Sequence, residues 1–464
     1  MRAWLAGARD DIVGGLVSAA VAVPLAMGFG MFAFVALGDE YFAHGVLAGL
    51  YTAIIVAVVS VAMGDRTTTV YAPRVITTFF LGSLVFALVH SDAPFMRAGN
   101  VELTLAIVFS IILVAGAFQA LFGLLRLGTV ILHMPHPVMA GFQNAAALLL
   151  FLVQTGNVLG YGTNVRLAGL VPNLASAKPL SVAVALFTML VMWHSRRVTT
   201  SVPPLLAGLL AGTAAYHGLS LLGLSSQLGP VIGSTPASQP GPWNLRAFAP
   251  LVEWGNFVEI APFIMMGGLG LAIIASIDAL LCAQLLSRPG ARRVSSDSQL
   301  VRLGLGNMAA ASLGGITSGV NLGPSLVNRA NGARTALSVL VNAGAVLATV
   351  AFLLPALAHL PRAVLSAVIM VVAIQHVDAS TIQLVKRLLS GRVTHRASLG
   401  LDLLVIVLVA TLSIVSNIVL AVFVGVGIAV VLFILRMSRA LIRRTYSGDA
   451  LPSRRTRNAA ERAI

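Results

Sequence analysis

Charge is what this chain has least of. Only 10% of its 464 residues are Asp, Glu, Lys or Arg, against 58% apolar residues, and mean hydropathy is +0.94. A soluble fold of this length needs far more polar surface, so the composition excludes a water-soluble globular protein and selects a polytopic membrane protein. Cysteine is almost missing. Cys282 is the single one; it lies inside an apolar run, excludes an intramolecular disulfide and says nothing of redox compartment. No phosphate loop, metal-ligand cluster or nucleophile–base pair is legible, so nothing points to an enzyme, a resident cofactor or a metal centre. Acidic residues are scarcer than basic ones, 15 against 30, giving a formal net charge of +15. The basic residues sit in short loops between apolar runs and in the tail, where they orient a chain in a membrane and offer no face for nucleic acid. No cleavable signal peptide is expected, because the first apolar run begins at Ile12 behind MRAWLAGARDD without a small-residue cleavage site.

What is abundant is apolar sequence in pieces of spanning or half-spanning length. Fourteen are read, at about 12–37, 44–63, 74–90, 101–126, 131–156, 180–195, 203–222, 258–287, 300–318, 322–332, 335–355, 361–377, 399–416 and 418–440, in two sets of seven. The fold class is therefore all-α and polytopic. With the N-terminus inside, Arg66, Arg126, Arg196, Arg197, Arg292, Arg293, Lys386, Arg387, Arg392 and Arg396 fall in cytoplasmic loops. The opposite face receives only Arg97, Arg166, Lys178, Arg246 and Arg362, an asymmetry that places both termini in the cytoplasm of a bacterial-type inner membrane. The expected division is 1–222 for the first repeat, 223–257 for an extracytoplasmic loop, 258–440 for the second repeat and 441–464 for a basic cytoplasmic tail that touches anionic lipid.

Two segments break the apolar pattern alike: VYAPRVITTFFLGSLVF at 70–86 and GVNLGPSLVNRANGARTALS at 319–338. A paired Gly/Pro interruption, one in each half, marks the binding site of an inverted-repeat transporter, because irregular backbone survives at membrane depth only where it is buried in protein or lines a cavity. With this topology span three runs outward and span ten inward, and their N-termini meet near the midplane. Each offers unpaired N–H groups and a partial positive charge, a seat for an anion. Pro73 and Pro324 suit first helical turns, where no N–H is needed.

Over nearly its whole length the chain resembles the SulP family of anion permeases, also called the solute-carrier-26 family. DDIVGGLVSAAVAVPLAMGFGMFA resembles that family's opening helix, MPHPVMAGFQNAAALLLFLVQ its fifth span, and IDALLCAQLLSRPGARRVSSDSQLVRLGLGNMAAASLGGITSG its eighth and ninth. NRANGARTALSVLVNAGAVLATVAFLLPALAHLPRAVLSAVIM is similar to its Gly-Ala-Arg-Thr turn and the approach to span twelve. The resemblance implies 7+7 inverted repeats of the uracil-permease type, with a core of spans one to four and eight to eleven and a gate of spans five to seven and twelve to fourteen. It implies alternating access, a small inorganic or organic anion as substrate, and a tendency to form homodimers. The implied lining residues are Phe29 on span one, Ala72, Pro73 and Arg74 at span three, Asp278 on span eight, and Gly323, Pro324 and Ser325 at span ten.

Two departures from the family pattern are expected to matter. Many members carry Ser-x-Ser-Arg-Ser at the start of span ten, and the position of its Arg is Pro324 here; Arg74 is the candidate to supply the missing charge from span three. Its bland alternative is an arginine that snorkels to the interface or pairs with Asp65. Most members also append a cytoplasmic STAS domain, whereas only RMSRALIRRTYSGDALPSRRTRNAAERAI follows the last span, so a member without it is expected.

Asp278 is the one acidic residue deep in span eight, about nine residues or roughly 13 Å from its cytoplasmic end. It is the candidate for coupling to a proton or, with Thr317, to sodium; the alternative is a structural ion pair with Arg74 or Arg329. Thr77, Thr78, Thr317, Ser318, Asn321, Ser325 and Asn328 offer neutral donors near the breaks, but such residues equally bond their own backbone. Arg334 is read as a structural or gating contact, His133 and His136 as turn residues, Asp402 as a cap or pair, and GGLVSAA, GGLGLA and GVGIA as close-packing stripes. A nucleobase permease of the same fold and a passive anion channel stay open as other functions.

Overall fold

The computed structural model describes residues 2–34, 37, 41–89, 101–131, 136–161, 176–198, 202–233, 254–287, 295–390 and 396–415, with Val424, Gly427, Ile428 and Val431 beyond them. The rest of span fourteen, the basic tail, most of the 223–257 loop and His133 lie outside the described residues. The chain runs α1 (Arg2–Ala33), α2 (Phe42–Ala62), β1 (Tyr71–Pro73), α3 (Val75–Val89), α4 (Val101–Leu124), the single turn α5 (Gly128–Ile131), α6 (His136–Val158), α7 (Pro179–Val198) and α8 (Pro204–Leu219). It continues through α9 (Trp254–Leu286), α10 (Ser296–Ser312), β2 (Ser318–Val320), α11 (Leu322–Ala330), α12 (Leu337–Ala358), α13 (Arg362–His376), α14 (Ala379–Leu389) and α15 (Arg396–Val415).

The two halves follow one plan. Each opens on a long helix with one internal proline, Pro24 in α1 and Pro262 in α9. Each goes on to a second helix, a three-residue strand, a short helix and another long one. Apart from α5 and α14, the helices through α15 fall on thirteen of the fourteen expected spans. Gly7–Ala33, Ala43–Ala62, Leu103–Leu124, Pro204–Gln227 and Ile260–Leu286 are each long and apolar enough to cross a bilayer alone. Among the described residues, Arg362–His376 with Ala379–Leu389 form a bent pair, and Val75–Val89, Pro179–Ser195, Leu337–Phe352 and Asp402–Leu412 are shorter apolar stretches.

One local expectation is corrected. Lys386 and Arg387 sit in the last turn of α14, which leaves α13 across a 52° bend, and not in a loop. Asp378 accepts from the Thr381 N–H and caps that helix. The start of the 223–257 segment folds back onto α13: Ile232 and Gly233 N–H donate to Leu360 and Ala358 carbonyls, and Arg362 N–H to Pro230.

Packing sorts the helices into two groups. The first joins α1, α2, α3, α4, α9, α10, α11 and α12; the second joins α6 with α13 and α15, and α7 with α8 and α13. They meet chiefly through α1 and α3, and at one such point a Cβ on Gly28 would lie 2.4 Å from Ile369 Cδ1. Within the first group glycine lets backbones touch. A Cβ on Gly30 would lie 2.0 Å from the Gly45 carbonyl oxygen, and one on Gly49 would lie 1.9 Å from that of Ala26. The expected GGLVSAA and GGLGLA stripes behave this way: a Cβ on Gly15 would lie 2.6 Å from the Ser338 carbonyl oxygen, and one on Gly268 would lie 2.6 Å from Val114 Cγ1.

The turn before α12 is held from a distance. Asp11 on α1 accepts from the Arg334 and Thr335 N–H groups at 2.7 and 3.0 Å, and the Thr335 hydroxyl donates to its other oxygen. The Arg334 guanidinium stays exposed, 3.9 Å from Asp10, so its contribution is structural. Gly15→Val is expected to abolish a monodisperse peak of detergent-solubilised protein in size-exclusion chromatography. Gly344→Val, where a Cβ meets nothing within 4 Å, should leave the peak unchanged.

Candidate substrate and coupling site

The two broken spans are joined by their breaks. β1 and β2 pair antiparallel with Tyr71 opposite Val320, Ala72 opposite Gly319 and Pro73 opposite Ser318. Because the strands run in opposite senses, α3 and α11 leave from opposite ends of the ladder with their N-termini directed at it. Pro73 lies in the strand and not in a first helical turn. Proline lacks the N–H that an inner strand position needs, and this two-stranded ribbon gives it an edge. Arg74 hands strand to helix, its carbonyl accepting the first helical bond from Thr78 at 2.9 Å. Pro324 is the third helical residue of α11, inside the first turn as expected.

Backbone groups freed by the breaks find partners. Asn307 on α10 accepts from the Ser318 N–H at 2.8 Å, donates to the Ser318 carbonyl at 3.3 Å and reaches Gln119 on α4 at 2.8 Å. The Ser325 hydroxyl accepts from Val70 N–H at 2.9 Å and donates to the Asn321 carbonyl. Asn321 N–H donates to Val70, and Asn328 donates to the Thr68 carbonyl at 3.0 Å. Thr52 on α2 accepts from Ile316 N–H at 2.6 Å. Irregular backbone thus persists at this depth because neighbouring side chains replace the lost helical partners. Of these residues, Asn307, Gln119 and Thr52 carried no signal in the sequence beyond being polar in apolar runs.

The charges meet beside the ladder. Arg74 Nε donates to Asp278 Oδ2 at 2.7 Å and its Nη2 donates to Asp278 Oδ1 at 2.8 Å. Nη2 also lies 3.1 Å from Cys282 Sγ. Arg74 is 8% exposed and Asp278 5%, so this is a buried, bidentate pair of the geometry that matches guanidinium to carboxylate best. Gly319 makes room for it: a Cβ there would lie 3.0 Å from Arg74 Cγ and 3.8 Å from Asp278 Oδ2. Removing either partner alone would strand an uncompensated buried charge at a cost of about 3–5 kcal/mol.

The structure therefore forms the Arg74 pairing that was the alternative reading of Asp278. The other pairings do not form. Asp65 accepts instead from the Tyr71 hydroxyl at 2.6 Å and from Thr67 N–H. Arg329 donates to Thr68 Oγ1 and to the Leu286 carbonyl.

The remaining lining candidates lie on α1, β1 and α11. Phe29 is buried in the same apolar cluster as Ala72, Val75 and Ile76. Ala72 and Pro324 are buried, whereas Gly323 is exposed and a Cβ on it would meet nothing within 4 Å. Thr317 makes no hydrogen bond to Asp278. Its buried hydroxyl has no partner, and neither do those of Thr78 and Ser276. Buried hydroxyls without partners are uncommon; here they flank the ladder and the acid in sequence. First-turn amides of α3 and α11, which no helix satisfies, complete the set of donors. Such a set suits an anion at the helix tips and a small cation at the carboxylate and hydroxyls.

An all-helical membrane protein with two inverted repeats crossing at broken spans belongs to the class of membrane transporters, not enzymes. Residues 9–390 match the profile of the "Sulfate permease family", and the chain belongs to that family. It is similar to the bicarbonate transporter BicA of Picosynechococcus sp., 30% identical over 440 residues covering 93% of this chain and 71% of that one. It is also similar to the putative sulfate transporter YvdB of Bacillus subtilis, 26% identical over 441 residues, 93% and 74% of the two chains. The solved transmembrane domain of a cyanobacterial BicA superposes with a TM-score of 0.68 at 25% identity, covering 88% of this chain and 97% of that one. SLC26A9 shares the fold, with a TM-score of 0.72 at 18% identity over 92% of this chain and 65% of that one.

Replacing Asn307 by Leu leaves the Ser318 N–H and carbonyl without side-chain partners. The expected loss is about 1–3 kcal/mol per stranded group, read as a lowered thermal midpoint of the purified protein and, in the same sample, as weakened anion binding.

Proposed function

We propose that the chain is a secondary active transporter of a small anion of the bicarbonate or sulfate class, held between the N-terminal ends of α3 and α11 and coupled to a proton or sodium through Asp278. One observation carries the reading: the β1–β2 pairing, which aims two half-helix N-termini at a common centre beside a buried guanidinium, in a chain of the sulfate permease family. The relatives named above are described as bicarbonate and sulfate transporters. Arg74, with the amides at the helix tips, would hold the anion. Asp278, with Thr317, would hold the coupling ion, and Phe29, Ala72, Pro73, Gly323, Pro324 and Ser325 would shape the cleft.

Alternating access would come from motion of the α1–α4 and α9–α12 group as a core against the gate formed by α6–α8 and α13–α15. The seam between Gly28 and Ile369 is where the two would slide. The protein would sit in a bacterial-type inner membrane with both termini cytoplasmic and would act as a homodimer.

Purified protein in proteoliposomes should accumulate labelled bicarbonate, sulfate or oxalate above equilibrium when an inward proton or sodium gradient is imposed. Arg74→Ala should abolish uptake, and Arg74→Lys should retain part of it, because a lysine keeps the charge but loses the fork. Flux that only follows the anion's own electrochemical gradient would identify a channel. Uptake of uncharged nucleobases in place of every anion on the panel would overturn the reading.

A further inference from the structure

Beyond α13 the chain turns by 52° into α14, an amphipathic helix of 11 residues, none of them buried. Helical spacing divides it into three faces. Thr381, Leu384 and Leu388 are half-buried, and α14 packs on α15. Ile382, Val385 and Leu389 repeat that spacing one position on, yet stay 46%, 37% and 81% exposed. Gln383, Lys386, Arg387 and Ser390 make a polar, basic third face. We propose that α14 is a lipid-binding foot: an anionic phospholipid of the cytoplasmic leaflet sets its headgroup on Lys386 and Arg387 and lays an acyl chain along Ile382, Val385 and Leu389. This site lies apart from the anion cleft and holds whichever anion is carried.

Depth and charge select this occupant. The 15 residues of α13 make about 22 Å of helix, and the 11 of α14, leaving at 52°, advance about 10 Å further along the same axis. Together they match the roughly 30 Å of bilayer hydrocarbon. Lys386 and Arg387, in the last turn of α14, therefore arrive at headgroup depth while the apolar stripe lies among acyl chains. The asymmetry of basic residues between the two faces makes this the cytoplasmic leaflet, whose anionic lipids complement a basic pair. Neither Lys386 nor Arg387 has an ion-pair partner among the described residues, and long cationic side chains beside an apolar stripe reach to phosphates.

The foot is firmly mounted. Asp378 caps α14 by accepting from the Thr381 N–H and hydroxyl, both at 2.7 Å. Helix α6 holds the bend from both sides: Asn144 accepts from the Asp378 N–H at 2.9 Å and donates to the Thr381 hydroxyl at 3.0 Å, and Gln143 donates to the His376 carbonyl at 2.7 Å. A headgroup that fixes α14 thereby fixes α13 and α6, and the leaflet tethers the helix group read above as the gate.

The test places a reporter on the stripe. Leu389→Cys in the full chain is labelled with bimane, which the buried Cys282 takes up slowly, and the protein is reconstituted in phosphatidylcholine containing a small fraction of dibrominated phosphatidylglycerol or of dibrominated phosphatidylcholine. Each basic residue near an anionic surface is worth roughly fivefold in affinity, so quenching should favour phosphatidylglycerol on the order of twentyfold. Lys386→Gln with Arg387→Gln should bring that preference close to one while both lipids still quench, and Arg387→Lys alone should keep it. Equal quenching by the two lipids before substitution, or a preference that survives the double substitution, overturns the proposal. So does an absence of quenching by either lipid, which would mean that a second copy of the chain or a cytosolic protein covers the stripe.

Should the double substitution fail to fold, salt serves instead. The preference for phosphatidylglycerol at the bimane-labelled Leu389→Cys position should shrink as added salt screens the headgroups. A preference indifferent to salt overturns the proposal. Neither result bears on anion uptake, which is measured separately and tests the transporter reading alone.

Discussion

Backbone hydrogen bonding inside a membrane is the constraint from which this architecture follows. A helix broken at mid-depth exposes N–H and C=O groups to a medium that cannot satisfy them. The chain answers by breaking twice, once per half, and pairing the two breaks with each other: Tyr71–Pro73 against Ser318–Val320. What the ladder leaves over is met by side chains from three helices, Thr52, Asn307, Ser325 and Asn328 among them. The ladder in turn fixes where α3 and α11 begin, and so where two sets of unpaired amides converge. A convergence of unpaired donors is the by-product of solving a solvation problem.

Much of this was legible beforehand because it is written in composition and spacing. The fold class follows from the 10% charge content. The breaks follow from prolines and glycines interrupting apolar runs, and their bounds are close: span three, read at 74–90, is Val75–Val89, and span ten, read at 322–332, is Leu322–Ala330. Arg74 and Asp278 stood out because a charge at membrane depth is costly. What sequence could not supply was that they touch. They lie 204 residues apart, and only the pairing of Ala72 with Gly319, with no side chain on the glycine, lets the Arg74 stem cross to α9.

Other features were hidden for physical reasons of the same sort. Asn307 looks like any polar residue in a helix until β2 is placed beside it. Asp11 reads as a charge at the start of the first span, yet its carboxylate is the cap of a turn 323 residues away. Pro73 was assigned to a helix because proline favours a first turn; a strand edge tolerates proline equally well, and the sequence holds no sign of which applies. Lys386 and Arg387 fall between the apolar runs of spans twelve and thirteen, where the orientation of the chain implies a cytoplasmic loop. The short helix they close lies beyond a 52° bend that charge alone does not reveal.

Where α1 crosses α2, the contact of Gly30 with Gly45 and of Gly49 with Ala26 is made by main chain against main chain. Peptide planes have no rotamers, so that crossing has no soft layer able to yield; it behaves as a weld. Helices α1 and α2 therefore form a stiff beam, whereas α1 meets α13 through a branched aliphatic chain, Ile369 over Gly28. The fit of that contact is then set by how an isoleucine side chain packs over a glycine, a quantity that conservative changes among Val, Leu and Ile at that spot would tune without touching a single charge.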